Sequence, residues 1–188
     1  MIYIETAHLL LRDWKKDDIL PFAAMNSNPI VMKYFLKSLN EKESLDFYNK
    51  IQDEFSGYRY GLYAVEKKTT GEFIGYTGFH NITFDVDFAP GVEIGWRLKH
   101  EEWNQGYATE AAKACLLYAN QYFSFQTIWS FTSVLNKSSE RVMQKIGMEK
   151  VKEFLHPLIE DNHPLKEHVL YRFQRNRERY IRNTNKTL

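Results

Sequence analysis

The chain has 188 residues, of which 44% are hydrophobic and 15% aromatic, so it is long enough for one substantial core and short for two domains. Its 25 basic and 24 acidic residues nearly cancel, which excludes overall charge as a reason to expect binding to nucleic acid or an anionic membrane. The single cysteine excludes an internal disulfide, and the lack of a signal peptide and of an apolar run of roughly 20 residues predicts a cytoplasmic protein without a membrane span.

The first third of the chain is predicted to contain one strand and two helices. Residues 9–14 form a strand-like run, and the acidic pair that follows is typical of the first turn of a helix. Pro29 is expected to end that helix. Residues 41–55 carry apolar side chains near one face at helical spacing, which predicts the second helix.

The middle of the chain carries four strand patterns and one helix pattern. Residues 60–66 and 72–82 flank a Lys-Lys-Thr-Thr-Gly segment whose composition predicts a hairpin turn. Residues 92–98 alternate as a further strand, and residues 106–123 repeat small and apolar side chains at helical spacing. Residues 127–133 are rich in β-branched and aromatic side chains, which favours another strand.

The remaining elements complete a mixed pattern. A short helix is predicted over residues 137–145, with Gly147 as its C-terminal glycine, and two last strands over residues 148–154 and 168–173. This order of elements favours a mixed α/β sheet over a doubly wound one.

The chain is predicted to form one domain over residues 1–174, followed by a basic C-terminal tail over residues 175–188. The tail carries several arginines and few apolar residues. A frayed, solvated end is the simpler interpretation, and a contact with RNA or an acidic partner is the alternative.

Residues 103–110 are the most informative segment, because they join a strand to a helix through small residues. The first helical turn falls near Gly106, where unpaired backbone N–H groups and the positive end of the helix dipole can bind an anion. Gly106 and Ala108 allow a ligand to approach the backbone closely. No P-loop or Gly-x-Gly-x-x-Gly pattern competes for this role, so the segment predicts a phosphate site; an ordinary strand-to-helix connection is the alternative.

Four segments, in order, resemble the GNAT N-acetyltransferase superfamily, and in particular its branch of ribosomal-protein N-terminal acetyltransferases. They are residues 9–12, residues 93–96, residues 105–111, and Asn136-x-x-Ser139 followed by Lys145-x-Gly147-Met148. The resemblance covers residues 6–173. It implies an α/β fold of mixed α+β type, with a central mixed, mostly antiparallel sheet flanked by helices, and acetyl-CoA as co-substrate with no metal.

The resemblance also implies where acetyl-CoA binds. Backbone N–H groups of the turn would hold its pyrophosphate, and its pantetheine arm would pair with the preceding strand. Trp103 stands at the first place of the turn motif, where the family carries Gln or Arg. Asn136 is implied to contact the pantetheine arm, with helix capping as the alternative. The implied cofactor-binding residues are Ile94, Trp96, Leu98, Gln105, Gly106, Tyr107, Ala108, Thr109 and Asn136.

Glu93 is the candidate catalytic base. Acetyl transfer to an amine needs a neutral nucleophile, and a carboxylate can take its proton. Strand alternation puts Glu93 on the face opposite Ile94 and Trp96. An α-amine, with a pKa of ~7.7 to 8, would lose its proton to this base more easily than a lysine side chain, whose pKa is ~10.4. A solvated strand carboxylate is the alternative interpretation.

Ser139 is the candidate group that protonates the departing thiolate. Many family members carry a tyrosine seven residues after the asparagine for this role, and here that place is Met143. In the ribosomal-protein branch a serine near the start of the helix is the corresponding candidate, and Ser139 matches it. Capping of the first helical turn is the alternative role for this serine.

The acceptor is left open by the sequence. His80 is a candidate for facing the acceptor, and Tyr34, Phe35 and Tyr58 lie where the family forms its acceptor wall, with a core role as the alternative. The leading function is acetylation of a primary amine, such as the N-terminal α-amine of a ribosomal protein. A small amine, such as an antibiotic or polyamine, is the second possibility, and non-catalytic acyl-CoA binding the third. Neither a membrane nor nucleic acid is an expected partner, and monomer and homodimer are both open.

Two residue types receive structural interpretations. Cys115 lies on the apolar stripe of its helix, which predicts a buried side chain and not an acyl carrier. His156, His163 and His168 lack tight ligand spacing, so a zinc site is not expected.

Overall fold

The structure is a computed structural model that describes residues 1–175. The basic tail predicted over residues 175–188 therefore lies outside the described residues, apart from Arg175. The strands are β1 (Ile2–Glu5), β2 (Leu9–Arg12), β3 (Leu62–Lys67), β4 (Glu72–Asn81), β5 (Val92–Leu98), β6 (Thr127–Ser133), β7 (Glu149–Leu155) and β8 (Glu167–Gln174). The α-helices are α1 (Ile19–Ser27), α2 (Glu41–Tyr58), α3 (Tyr107–Tyr122) and α4 (Lys137–Lys145), and short 3-10 helices cover Lys16–Asp18 and His100–Glu102.

The strands form one sheet in the order β1-β2-β3-β4-β5-β6-β8-β7. Every neighbouring pair is antiparallel except β5 and β6, which run parallel. The predicted mixed, mostly antiparallel sheet flanked by helices is confirmed.

Strand β3 is buried on both faces of the sheet. Its residues Leu62 and Ala64 pack in one apolar cluster with Phe22 of α1, whereas Tyr63 and Val65 pack in another with the apolar stripe of α3. Because consecutive side chains of a strand point to opposite faces, helices must cover both sides of the sheet. Within residues 1–175, no helix has the length and apolar character needed to cross a membrane.

Most elements lie within two residues of the sequence-based expectation, and three differences are informative. Strand β1 was not predicted, because it has only four residues and lies at the edge of the sheet. Few of its side chains are buried there, so its alternation of apolar and polar residues is weak. Strand β2 ends at Arg12 and not at residue 14. Helix α2 continues to Tyr58, three residues beyond the predicted end, where Arg59 adopts the left-handed conformation at φ 61°.

Arg12, at the end of β2, connects three elements. Its Nη1 and Nη2 atoms donate hydrogen bonds to the Asp18 carboxylate at 2.7 and 2.9 Å, and its Nε donates to Glu66 of β3 at 2.6 Å. All three side chains are buried. Lys15, which is 56% exposed, also donates to Glu66, at 2.7 Å. The arginine therefore fixes the start of α1 against the sheet.

We expect Arg12→Met to lower the free energy of unfolding by about 3 to 5 kcal/mol, because it removes the guanidinium that pairs with two buried carboxylates and leaves Glu66 only the mostly exposed Lys15. Equilibrium denaturation measures the loss. Lys15→Met is the control, and its cost should stay below about 1 kcal/mol because that lysine is mostly exposed. Equal losses in the two variants would contradict the prediction.

Candidate active site

A cleft of about 1030 Å³ lies where β5 and β6 diverge. These parallel strands pair at Val92 with Ile128 and at Glu93 with Trp129, whereas β5 continues to Leu98. Beyond the two paired positions, no strand of residues 1–175 pairs with the edge of β5 that faces β6. The sheet is therefore open at its centre.

The free backbone edge of β5 is centred on Trp96. Ser130 Oγ of β6 donates a hydrogen bond to the carbonyl oxygen of Ile94 at 3.0 Å. Trp103 Nε1 donates to the carbonyl oxygen of Leu98, also at 3.0 Å. Side chains thus bond the carbonyl oxygens of Ile94 and Leu98. The backbone N–H and C=O groups of Trp96, which lies between them, remain available to an extended ligand.

The start of α3 closes one end of the cleft. Its N-cap, Gly106, has φ +86°, a conformation that costs glycine little and other residues more. Its N-cap offers no side-chain hydrogen bond, so the first-turn N–H groups of Tyr107, Ala108 and Thr109 lack that partner within the described chain, and all three residues line the cleft. An uncapped helix N-terminus of this kind binds anions.

The cleft brings together all but one of the catalytic and cofactor-binding residues proposed from the sequence. Gln105 does not line it and is exposed at the outside of the turn. Trp103, which replaces the polar residue of the family motif, links the turn to β5 through its indole N–H. The proposed residues that line the cleft are Glu93, Ile94, Trp96, Leu98, Gly106, Tyr107, Ala108, Thr109, Asn136 and Ser139.

Asn136 is the N-cap of α4. Its Oδ1 accepts a hydrogen bond from the backbone N–H of Ser139 at 3.2 Å, and its Nδ2 donates to Thr132 Oγ1 at 3.1 Å. The amide is therefore held by both ends. Ser139 is half-buried in the cleft wall at the first turn of α4.

Glu93 belongs to a cluster of titratable groups at the other end of the cleft. It lies opposite His80 in the register of β4 and β5, and His80 Nδ1 lies 2.5 Å from Glu54 Oε2 of α2. Burial of the carboxyl raises the pKa of Glu93 to about 7; His80 opposes this shift and Glu54 adds to it. A group with such a pKa can accept a proton at neutral pH.

The aromatic residues proposed for the acceptor wall separate in the structure. Tyr34 and Phe35 line the cleft, whereas Tyr58 lines a separate cavity of about 460 Å³. His156 and His168 also line the cleft, and burial lowers the pKa of both, to about 4 for His168. These two histidines are therefore neutral near pH 7. In the described range, no cluster of three or more His, Cys, Asp or Glu side chains has the geometry to hold a metal.

Two features of the site were missed from the sequence. Lys137, Arg141 and Lys145 of α4 all line the cleft, and their spacing of four residues was the signal, since such residues share one helix face. Arg97 of β5 also lines the cleft, although it is buried. A single arginine within a strand does not by itself indicate a binding site.

Comparison with known proteins identifies the family to which this fold and cleft belong. The family model for the acetyltransferase (GNAT) domain matches residues 8–149. The chain therefore belongs to the GNAT acetyltransferase family and is an N-acetyltransferase, as the sequence predicted.

Relatives from one bacterium support this assignment. YkkB of Bacillus subtilis (strain 168), an uncharacterized protein, is 32% identical over 133 residues, which are 71% of this chain and 76% of YkkB. The uncharacterized N-acetyltransferase YoaA of the same bacterium is 28% identical over 152 residues, 78% of this chain and 82% of YoaA.

Solved structures share the fold. An acetyltransferase of the GNAT family from Bacillus anthracis superposes with a TM-score of 0.77 at 26% identity, covering 93% of this chain and 99% of the other. RimL, a ribosomal α-N-protein acetyltransferase in complex with coenzyme A, also gives a TM-score of 0.77, at 13% identity, covering 93% and 98%. The Salmonella typhimurium protein yncA, with its cofactor acetyl-CoA, gives 0.69 at 13% identity, covering 90% and 95%. At this identity the last two show the fold alone.

Proposed function

We propose that the protein transfers the acetyl group of acetyl-CoA to a primary amine, in particular an N-terminal α-amine, in the cleft between β5 and β6. The observation that carries this proposal is the unpaired edge of β5 leading to the uncapped N-terminus of α3. The first suits an extended pantetheine arm, and the second suits a pyrophosphate.

In the proposed complex, backbone N–H groups of residues 106–109, which line the cleft, bind the pyrophosphate. The pantetheine arm pairs with the β5 edge formed by residues 94–98, and Asn136 contacts it from the opposite wall. The cationic face of α4 lies along the same cleft and adds favourable charge for the phosphates.

The proposed chemistry uses three groups around the thioester. Glu93 takes a proton from the ammonium form of the acceptor, and the neutral amine attacks the acetyl carbonyl. A backbone N–H of residues 94–96 stabilises the oxyanion. The C–S bond of the tetrahedral intermediate then breaks, and Ser139 donates its proton to the departing thiolate. The serine regains a proton from the former amine nitrogen, which becomes the neutral amide nitrogen, and Glu93 releases its own proton to water.

The acidity of Glu93 supports an α-amine acceptor. Its pKa of about 7 lies within about a unit of an α-amine, whose pKa is ~7.7 to 8, so proton transfer between them is nearly balanced. Proton transfer to Glu93 from a lysine side chain, whose pKa is ~10.4, would be unfavourable by several pKa units. The likeness in fold to RimL agrees with a ribosomal-protein terminus as one such acceptor.

Thiol release from acetyl-CoA across a panel of amines tests the function. Release with peptides that carry a free N-terminus, and not with polyamines or aminoglycosides, is the expected result. Thiol release with small amines alone would show that the acceptor is a small-molecule amine and not a peptide. Tight acetyl-CoA binding without release for any amine would identify a non-catalytic acyl-CoA-binding protein.

Arg141→Gln should raise the Kd of acetyl-CoA about threefold at low salt, because a partly screened cation contributes under about 1 kcal/mol. The difference should shrink at 1 M salt, where the Debye length falls to about 3 Å. Lys113→Gln, on the exposed face of α3, is the matched control. Titration calorimetry at both salt concentrations measures the effect, and a Kd unchanged by Arg141→Gln at low salt would remove this residue from the phosphate site.

A further inference from the structure

Arg97 is a buried cation without a counter-charge. It lines the cleft, yet only 8% of it is exposed. Burial lowers its pKa, since desolvation penalises the charged form. Among the ion pairs of residues 1–175, none involves Arg97. A buried charge is normally paired, so this arginine calls for a partner that the described chain does not supply.

Neutral groups hold Arg97 in place. Its Nη1 donates to Asn26 Oδ1 at 2.6 Å, and its Cζ lies 4.1 Å from the ring centroid of Phe35 and 5.3 Å from that of Tyr76. Asn26 is itself fully buried and donates to Ser44 Oγ at 3.3 Å. The guanidinium is thus positioned before any ligand binds, at a low cost in side-chain entropy on binding.

One edge of the guanidinium remains unused. Nε of Arg97 is buried and has no hydrogen-bond partner within residues 1–175. With Nη1 bonded to Asn26, the Nε–H group and the neighbouring Nη2–H group form the remaining side-on fork. Two parallel N–H donors match the two oxygens of a carboxylate.

Arg97 and Glu93 share one face of β5, with Gly95 between them. A methyl group added at Gly95 would meet no atom within 4 Å, so the space between the two side chains is open. At about 3.3 Å per residue, the Cα atoms of Glu93 and Arg97 lie about 13 Å apart along the strand. An extended acceptor can therefore reach both.

We propose that the acceptor is a primary amine that also carries a carboxylate, and that Arg97 binds this carboxylate while Glu93 receives the amine. This inference rests on the proposed function and narrows its acceptor from primary amines in general to primary amines that carry a carboxylate. An acidic side chain near the N-terminus of a peptide and the carboxylate of a small ω-amino acid both supply this chemistry.

Matched pairs of acceptors test the proposal. The first series consists of short C-terminally amidated peptides with a single Glu at successive positions, each paired with its Gln counterpart. The second consists of ω-amino acids of increasing length, each paired with its primary amide. We expect kcat/KM to favour the acid over the amide by about 10- to 100-fold at the best spacing, the range for a charged hydrogen bond. The series that shows the preference identifies the source of the carboxylate.

Variants assign the preference to Arg97. Arg97→Gln should bring the acid-to-amide ratio to about one, and Arg97→Lys should leave an intermediate ratio because it keeps the charge but loses the fork. Lys33→Gln is the matched control, since Lys33 lines the same cleft, and it should keep the ratio of the wild type. If Arg97→Gln does not fold, the wild-type ratio and Arg97→Lys decide the question.

A binding measurement separates this inference from the proposed function. Calorimetry of the same acceptors with the CoA-bound protein requires no turnover. Equal binding and equal kcat/KM for acids and amides would overturn the carboxylate site while leaving N-acetylation intact. Preferential binding of the acids without thiol release would support the site and overturn the proposed function.

Discussion

Glu93→Gln is expected to lower kcat by about 10²- to 10⁴-fold, the contribution of a positioned general base. The amide has nearly the shape of the carboxyl group but cannot accept the proton of the amine. The Kd of acetyl-CoA should change little, because none of the proposed cofactor contacts is made by the Glu93 side chain. Steady-state kinetics and calorimetry on the same preparations measure the two effects.

The pKa of Glu93 gives this prediction a pH dependence. Its carboxyl is protonated below a pKa of about 7 and accepts a proton only when ionised, so wild-type kcat should rise as the pH increases through about 7. Glu93→Gln should lack this rise. Glu101→Gln, an exposed carboxylate outside the cleft, is the control and should keep both the rate and the profile. A Glu93→Gln enzyme whose kcat still rises through pH 7 would show that another group is the base.

Gly106→Ala is expected to raise the Kd of acetyl-CoA at least about tenfold, or about 1.4 kcal/mol. At φ +86° an alanine is strained, and relief of the strain rotates the first N–H groups of α3 away from the phosphate. The added methyl group also enters the space proposed for the pyrophosphate, which is otherwise open.

Gly147→Ala is the matched control for this effect. Gly147 has φ +84°, and a methyl group there would also meet no atom within 4 Å, but it does not line the cleft. Both variants should lose about 1 to 2 kcal/mol of unfolding free energy, since both place alanine in the left-handed conformation. Calorimetry should then find weaker acetyl-CoA binding in Gly106→Ala alone. The same Kd in both variants would contradict a phosphate site at this turn.

Local patterns predicted most of the elements. Strand β5, strand β6 and helix α4 have the predicted bounds, because alternation, β-branched composition and a C-terminal glycine are properties of neighbouring residues. Strand β1 escaped prediction because its four residues become a strand through pairing with β2. The likeness of four short motifs was enough to name the superfamily, since motif order follows chain order.

Most residues proposed from the sequence for the site line the cleft, but their properties could not be predicted. Glu93 was proposed from strand alternation, yet its raised pKa depends on burial and on Glu54, 39 positions away in the chain and brought near through His80. Arg97 showed no signal because its Asn26 partner and its aromatic contacts come from the segments before residue 77. The role of Trp103 as a link to β5 was equally invisible.

The sequence by itself determined most of the elements, their order, the family and the position of the glycine turn before α3, because these follow from short-range periodicity and motif spacing. Only the tertiary structure decided that β5 and β6 part after two paired positions, that burial raises the pKa of the Glu93 carboxyl, and that Arg97 is buried without a counter-ion among residues 1–175. These properties arise from desolvation and from contacts between distant segments, and a linear pattern carries no information about either.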